Sequence, residues 1–359
     1  QYNNTKLNES NTQLKIEYDK TIKISSKDRI SFNVNDLIVD LRRAAIEING
    51  ERVLVKDLYL SIDNLLYTKI SSVYDLNNAI NNVDLEYVRI KKGAKQVYET
   101  NNLKLRIEKF GSSSTIFAEE LRTSFAINDK EWKLTMDSLD KIAKGSDFLQ
   151  YFKINKGNAV ISKQKDEETI KFDANVDYDY KFLVANDKSV KRYKIHGEVD
   201  DKNVHMKIND KIEVKVGQTT TQIDIHDVGV NTPELLRFTN DINVSTNANA
   251  KKSVLLNATN SYFDLGNKRK IISDEIQLQY HDNITTMQLK HKNGSAGLKI
   301  QNSNFHLYGN KFNDEFMEKI FSLSKFKGGE LEFSLKGSLK DYSGAFYVNN
   351  TTMMDYKLM

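Results

Sequence analysis

The sequence contains no cysteine, one proline and 16 glycines among its 359 residues. The absence of cysteine excludes a disulfide framework, a thiolate nucleophile and thiolate metal sites. No stretch approaches 18 consecutive apolar residues, so the sequence predicts no helix that spans a bilayer. Because proline and glycine are so scarce, we expect the turns to use Asn, Asp, Lys and Ser, which tolerate left-handed backbone or bond locally.

The charges are nearly balanced, with 53 basic and 49 acidic residues and a net charge of +4. The sequence shows no basic stripe with interleaved aromatic residues, so nucleic acid is not an expected partner. It also lacks a Walker loop, a Gly-x-Ser-x-Gly motif and a Gly-x-Gly-x-x-Gly motif. No enzyme class is therefore indicated, and we expect a protein that is not an enzyme and carries no cofactor.

The histidines are scattered, and no two have the i, i+4 or His-x-His spacing of a metal site. We expect structural or surface roles for all of them: His196, His205, His226, His281, His291 and His306. The adjacent Asp200 and Asp201, and the pair Asp177 and Asp179, are interpreted as solvated charge. The sequence thus predicts neither a catalytic residue nor a metal ligand.

Strict alternation of apolar and polar residues is the main structural signal. It is clearest from Phe172 to Phe182, and it recurs from Leu103 to Ile107 and from Leu331 to Leu335. Alternation with period two places the apolar side chains of a strand on one face. We expect an antiparallel meander with one apolar face. That face could be an ordinary core against a second sheet, or a groove open to an apolar ligand.

Two local predictions concern the first hundred residues. The Asn49-Gly50 pair predicts a hairpin between strands at Leu37–Ile48 and Val53–Ile62. Helical spacing of apolar residues predicts a short helix at Ser72–Asn82.

Two further helices are predicted near the C-terminal half, at residues 233–241 and 314–325. Thr232 is expected as the N-cap of the first, with Pro233 at its first helical position. We expect both helices to cap the ends or an edge of the sheet, and a partner-binding or membrane-contacting role is the alternative.

The C-terminal run resembles the AsmA-like superfamily of envelope proteins, in particular its YhdP and TamB type. The resemblance is carried by an amphipathic helix, a Gly-Gly turn, a strand, a further glycine and a short hydrophobic strand. These are Phe316 to Phe326, Gly328-Gly329, Leu331 to Leu335, Gly337 and Gly344 to Val348. Ser146 to Ile161 resembles the same pattern more loosely, and residues 1–125 fit only as a generic meander.

The resemblance implies a mainly β fold with a few short helices, a long twisted antiparallel β-sheet curled into an open, taco-like groove. Residues 1–130 would form one antiparallel segment, and residues 131–359 an AsmA-like C-terminal segment that continues the same sheet. The implied function is a lipid-binding segment of a bridge-like carrier that moves phospholipids between the inner and outer membranes of a Gram-negative envelope. The implied partners are phospholipid acyl chains, in the periplasm.

On this reading the lining of the groove is apolar and has no catalytic group. The expected lipid-binding residues are Leu103, Leu105, Ile107, Phe172, Val176, Tyr178, Tyr180, Phe182, Ile276, Leu278, Leu331, Phe333 and Leu335. The sequence begins at Gln1 without a signal-like apolar segment, so we expect a piece of a longer or processed protein, with any inner-membrane anchor outside it. The alternative is a β-sandwich scaffold or surface interaction protein without lipid.

Overall fold

The computed structural model describes residues 5–7, 15–34, 37–146, 149–150, 152–186, 188–242, 253–321, 326–338 and 340–353. The expected fold class is confirmed, because the described chain is mainly β with three short helices and an open, curled sheet that does not close. Packing divides the chain into unit 1, Gln1–Ile170, and unit 2, Lys171–Met359. The division expected at residue 130 lies within unit 1.

Unit 1 consists of fourteen described strands, a 3-10 turn at Glu119–Leu121 and helix α1. The strands are β1 (Thr5–Leu7), β2 (Lys15–Asp19), β3 (Thr21–Ser25), β4 (Ile30–Val34), β5 (Leu37–Arg42), β6 (Ala45–Asn49), β7 (Arg52–Ile62), β8 (Leu66–Asp75), β9 (Ile80–Lys92), β10 (Lys95–Phe110), β11 (Ser113–Ala118), β12 (Thr123–Ile127), β13 (Glu131–Met136) and β14 (Ile154–Gln164). Helix α1 spans Leu139–Ala143. From β7 to β14 each strand pairs antiparallel with the next in sequence.

Unit 2 continues with β15, which begins at the unit boundary. Its strands are β15 (Ile170–Tyr178), β16 (Leu183–Ala185), β17 (Lys188–Ser189), β18 (Arg192–Val199), β19 (Val204–Ile208), β20 (Ile212–Val216), β21 (Thr220–His226), β22 (Gly229–Asn231), β23 (Ser253–Gly266), β24 (Arg269–His281), β25 (Ile284–His291), β26 (Gly294–Gln301), β27 (Asn304–Phe312), β28 (Phe326–Lys327), β29 (Glu330–Ser338), β30 (Tyr342–Asn349) and β31 (Thr352–Met353). Helix α2 spans Thr232–Ile242 and helix α3 spans Asp314–Phe321.

The main sheet of unit 2 is antiparallel except at one seam. Strand β23 runs parallel to β21 along its first half and parallel to β22 along its second half. A parallel pair requires a crossover connection, and α2 lies in the connection that leads to β23. The expectation of an uninterrupted antiparallel meander is therefore wrong at this seam, where the chain passes through a helix before it rejoins the sheet.

The expectation that polar residues form the turns is confirmed. Five residue pairs that connect paired strands have positive φ at both residues: Asp63-Asn64, Asn209-Asp210, Asn267-Lys268, Asp282-Asn283 and Asn302-Ser303. Positive φ at both central residues is the signature of a type I′ hairpin turn, whose twist matches that of the strands. The two central residues of each of these turns are therefore not glycine.

Three local predictions need correction. Residues 72–82 form the end of β8, a turn and the start of β9 instead of a helix, and the Asn81 side chain accepts a hydrogen bond from the Asp75 amide at 2.7 Å. The hairpin after Asn49 exists, but Gly50 and Glu51 are its central residues and the strand before it is broken into β5 and β6. The cap of α2 is Asn231, whose Oδ1 accepts from the Glu234 amide at 3.1 Å.

Candidate functional site: an apolar face of the unit 2 sheet

One face of the unit 2 sheet carries three parallel rows of side chains across ten strands. Residues directly opposite each other on paired strands point to the same face, so the register defines each row. The middle row is Met206, Val214, Ile223, Leu256, Leu278, Met287, Leu298, Leu307, Leu335 and Gly344. The inner row is Ile208, Ile212, Ile225, Ala258, Ile276, Leu289, Ala296, Gly309, Phe333 and Phe346.

The outer row lies on the other side of the middle row, and it too contains no charged residue. It is Val204, Val216, Thr221, Val254, Tyr280, Thr285, Ile300, Phe305, Gly337 and Tyr342. At about 4.8 Å per strand, ten strands extend each row over about 43 Å. The three rows together make an apolar face of considerable length.

The opposite face of the same strands is polar. The row that alternates with the inner and middle rows is Lys207, Glu213, Asp224, Asn257, Gln277, Gln288, Gly297, Tyr308, Ser334 and Ala345. Side chains on this face bond to one another: Asn257 Nδ2 donates to Asp224 Oδ1 at 2.8 Å, and His205 Nε2 lies 2.6 Å from Glu213 Oε1. Water-facing and apolar surfaces are thus cleanly separated by the pleat of the strands.

Burial decreases from the inner row to the outer row. Ile225, Ala258 and Ile276 of the inner row are buried, whereas every side chain of the middle row is half-buried. In the outer row Tyr280 and Tyr342 are exposed. The face therefore passes from a closed core to an accessible apolar surface within three rows.

Helix α3 closes the inner row at the end near β27 and β29. Phe316 and Met317 are buried against Phe312, whose ring lies 3.8 Å from that of Phe316 and 6.0 Å from that of Phe333. The helix therefore packs on one face of the sheet, and the expectation that it caps an end or an edge of the sheet stays a prediction. Its N-cap is Asn313, whose Oδ1 accepts from the Phe316 amide at 3.2 Å.

Glycines allow aromatic rings to lie flat on the sheet. A Cβ at Gly309 would come within 2.4 Å of the Phe333 ring, and one at Gly294 within 2.6 Å of the Phe312 ring. On the polar face a Cβ at Gly297 would meet the Tyr308 ring at 2.4 Å. These glycines are required for close approach, because any larger residue would displace the neighbouring ring.

Phe172 extends the middle row beyond β19. Gly197 lies opposite Met206, and a Cβ at Gly197 would lie 2.8 Å from the tip of the Phe172 ring, so that ring covers the place of a missing side chain. A depression of about 350 Å³ is lined by these three residues together with neighbouring polar ones. The apolar surface therefore reaches β15.

The structure brings most of the expected lipid-binding residues of unit 2 onto this face, at different depths. Leu278 and Leu335 lie in the half-buried middle row, Ile276 and Phe333 in the inner row, and Leu331 one step deeper opposite Phe312. Of these five, Leu278 and Leu335 are half-buried and the other three are buried, so a ligand could contact only those two without rearrangement of the chain.

Tyr180 and Phe182 are placed differently from the prediction. Strand β15 ends at Tyr178, so the predicted continuation of the strand to Phe182 is wrong. Tyr180 is fully buried and its carbonyl accepts a hydrogen bond from the Tyr193 hydroxyl at 3.2 Å, while the Phe182 ring packs 5.0 Å from that of Tyr193. Burial raises the pKa of Tyr193 to about 12. This cluster forms a closed core, and it also contacts Tyr178.

The other residues expected to bind lipid are Val176 in unit 2 and three residues of unit 1. Val176 on β15 is buried at 2% exposure. In unit 1, Leu103 and Leu105 belong to a small core with Leu85 and Val88. Ile107 begins a half-buried row that crosses β10 to β14, namely Ile107, Ile116, Phe125, Leu134 and Ile161.

Within the described ranges no three His, Asp or Glu side chains are arranged to hold a metal ion. His291 is buried and stacks on Phe316 at 6.1 Å, and His226 Nδ1 lies 2.7 Å from the Thr259 hydroxyl. A depression of about 620 Å³ beside α2 is lined by Lys268, Lys270, Lys319, Glu234 and Asp264 among others, so it carries both signs of charge.

Sequence reasoning missed most of the middle row. Met287, Leu298 and Leu307 lie on strands of eight or nine residues, in which a few apolar residues are interspersed with Thr, Gly, Gln, Lys and His. A single strand of this kind gives a weak alternation signal. The sequence feature that could have revealed this row is the recurrence of two-residue polar turns, because such turns fix the register of one strand on the next.

None of the described helices is long and apolar enough to cross a membrane. Compared with protein-family models, curated proteins and solved structures, the chain matches none of them, so the apolar face itself is the basis for assigning a function.

Proposed function

We propose that this chain is a lipid-binding segment of a bridge-like carrier, in which phospholipid acyl chains lie along the middle row of unit 2. The single observation that carries the proposal is the unbroken middle row, in which nine half-buried apolar side chains follow one another from β19 to β29 without a charge. No catalytic step, cofactor or metal is part of the proposal.

The dimensions of the row suit acyl chains. The row extends over about 43 Å, which is longer than the roughly 30 Å of hydrocarbon that two opposed leaflets of acyl chains provide. A row of this length accommodates more than one acyl chain end to end, and a ligand could shift from strand to strand without meeting a charged group. This uniformity favours a mobile apolar ligand over a ligand that must be held in one orientation.

The energetics also favour acyl chains. Each methylene removed from water contributes about 0.8 kcal/mol, and the polar headgroup can stay in solvent beyond the exposed outer row. The outer row includes Tyr280, Ile300 and Tyr342, which are exposed. Tyrosine combines an apolar ring with a polar hydroxyl, so it suits the border between an acyl chain and water.

In the cell this proposal places the chain in the periplasm of a Gram-negative envelope, where it would carry phospholipid between the two membranes. The C-terminal pattern of a helix, a Gly-Gly turn and two strands supports this cellular location. It consists of α3, Gly328-Gly329, β29 and β30.

Lipid extraction from the purified protein tests the proposal directly. We expect mass spectrometry of the extract to detect co-purified phospholipid, and the protein to bind added radiolabelled phosphatidylethanolamine. A preparation that contains no phospholipid and binds none when it is supplied would overturn the proposal.

Two adjacent residues on β24 provide a matched pair of variants. Leu278→Lys places a charge in the middle row, and Gln277→Lys places the same charge on the polar face of the same strand. We expect the first to reduce phospholipid binding at least tenfold and the second to leave binding unchanged. Leu278→Ile keeps the row apolar and should bind as the wild type does, and urea unfolding of all three variants separates lost binding from lost fold.

The alternative is a scaffold without lipid, and one observation favours it. The inner row is closed by the chain's own helix α3, as in an ordinary protein core. A scaffold of this kind would yield no lipid on extraction, and Leu278→Lys and Gln277→Lys would then differ only in stability.

A further inference from the structure

Strand β30 forms an edge of the unit 2 sheet. It pairs with β29 along its whole length, and none of the other described strands pairs with it. Both faces of the strand carry exposed aromatic residues, with Tyr342 at 60%, Phe346 at 51% and Tyr347 at 61% exposure. The apolar face described above therefore ends on a strand whose outer backbone edge points away from the sheet.

The usual devices that protect an edge strand are absent from β30. Its sequence, Tyr-Ser-Gly-Ala-Phe-Tyr-Val-Asn, contains no charge and no proline, and its pairing with β29 shows no bulge. Exposed edges normally carry lysine, proline or a bulge, because otherwise they pair with another chain. The edge strand β2 of unit 1 shows the contrast, since it carries Lys15, Glu17 and Asp19 within five residues.

We infer that β30 pairs antiparallel with β30 of a second copy of this chain, so that the two unit 2 sheets form one continuous sheet around a two-fold axis. Self-pairing suits this strand because an uncharged edge meets no like charge in its own copy. A partner with a charged edge such as β2 would instead bury charges beside the aromatic rings. The inference concerns assembly and does not depend on lipid binding.

The geometry of antiparallel pairing continues the apolar face across the axis. Only alternate residues of β30 direct their amide and carbonyl groups outward, and in an antiparallel pair these residues must lie opposite each other. When a strand pairs with its own copy, opposite residues therefore have numbers whose sum is even. Residues of equal parity share a face, so the apolar face of one copy meets the apolar face of the other.

Side-chain packing favours one of the registers in which opposite residue numbers have an even sum. With Ala345 opposite Ala345 of the second copy, Gly344 lies opposite Phe346 of the second copy, and Tyr342 lies opposite its Val348. An aromatic ring opposite a glycine repeats a pairing already present in this sheet, between Gly309 and Phe333. The middle row of one copy then continues through Gly344 and the second copy's Phe346.

Single-cysteine variants test this register, and the absence of native cysteine makes the full chain a clean background. In Ala345→Cys, the two Cα atoms of the dimer would be about 4.5–5.5 Å apart, within disulfide range. In Ser343→Cys, on the same face, each cysteine would be about 14 Å from its counterpart, which is too far. We expect mild oxidation to cross-link the first variant and not the second, as measured by non-reducing gel electrophoresis.

Sedimentation of the wild-type chain provides the second measurement. A dimer at micromolar concentration together with selective cross-linking of Ala345→Cys supports the inference. A monomer, open-ended growth with concentration, a dimer that neither variant cross-links, or equal cross-linking of both variants overturns it. Because lipid extraction is a separate measurement, a failure of the dimer and a failure of the proposed function can be told apart.

Discussion

Asp40 shows how one buried charge is stabilised in an exposed sheet. It is 4% exposed, and the Arg29 guanidinium donates to both of its carboxylate oxygens, from Nε at 2.8 Å and from Nη2 at 2.5 Å. Burial acts to raise the pKa of Asp40, but hydrogen bonds from Arg29, Ser31 and Ser61 outweigh it and hold the pKa below its ordinary value. The carboxylate of Asp40 is thus buried and held by hydrogen bonds, whereas the Arg29 side chain is open to water.

This residue predicts a pH dependence of stability. A carboxylate whose pKa is lower in the folded state stabilises the fold above its unfolded pKa of about 3.9, and this stabilisation is lost as the pH falls through the folded value. We expect Asp40→Asn to be less stable than the wild type at pH 7, by roughly 1–3 kcal/mol for a lost charged hydrogen-bond set. The difference in free energy of unfolding should shrink below about pH 4.

Urea unfolding at several pH values measures this effect. Asp28→Asn, at a neighbouring exposed residue, is the control and should follow the wild-type curve. An Asp40→Asn variant whose deficit stays constant down to pH 2 would show that the carboxylate does not provide the pH dependence.

Individual residues also set the limit of what the sequence could predict. The alternation of Leu331, Phe333 and Leu335 with Glu332 and Lys336 correctly assigned the two faces of β29. It could not show that Phe333 lies over Gly309, because that contact depends on the register between two strands. The alternation also could not show which apolar residues of that face are covered by other parts of the chain.

At the scale of the elements, strong local signals were reliable and weak ones were not. The helix around Phe316 was predicted correctly over Asp314–Phe321, because its apolar residues recur at helical spacing, and the predicted residues 322–325 lie outside the described residues. The segment Ser72–Asn82 has a similar spacing but forms two strand ends and a turn, since β8 and β9 pair with each other. There, strand pairing overrides local helical preference.

Helix α3 is the element whose removal should change the apolar face most. Met317, a residue of this helix, is fully buried beside Phe312 and Phe316. We expect Met317→Ala to reduce the free energy of unfolding by about 2–5 kcal/mol, because it leaves a cavity between helix and sheet. It should also increase binding of the apolar dye ANS, since the inner row becomes accessible.

The exposed Glu318 offers a control on the same helix. Glu318→Ala should change stability by less than about 0.5 kcal/mol and leave dye binding unchanged. Equal effects of the two variants in urea and dye titrations would argue against a covering role for this helix.

At the scale of the whole molecule, the two units differ in how much core they contain. Among the described residues, the principal core of unit 2 has fifteen buried members, whereas that of unit 1 has four. Since burial of apolar surface is the main stabilising term, unit 2 should be the more stable. The three rows of the apolar face also belong to the scale of the whole molecule, because they form only when ten strands are aligned.

The turn at residues 165–168 is exposed and is a suitable place to divide the chain. We expect a fragment of residues 166–359 to fold alone, with a β-type circular dichroism spectrum and a cooperative urea transition. A fragment of residues 1–165 should unfold at lower urea, because its core is smaller. The prediction fails if the longer fragment is unfolded, or if the shorter one has the higher midpoint.

The parallel seam at β21 and β23 has a consequence for the folding pathway. Short hairpins join neighbouring strands from β18 to β21 on one side and from β23 to β27 on the other, and their contacts are local and form quickly. Strand β23 can pair with β21 only after the α2 crossover has closed. Contacts of large sequence separation slow folding, because the entropy of loop closure must be overcome before they form. Two hairpin ladders should therefore form first, from β18 to β21 and from β23 to β27, and their docking at the seam should set the rate at which unit 2 becomes native.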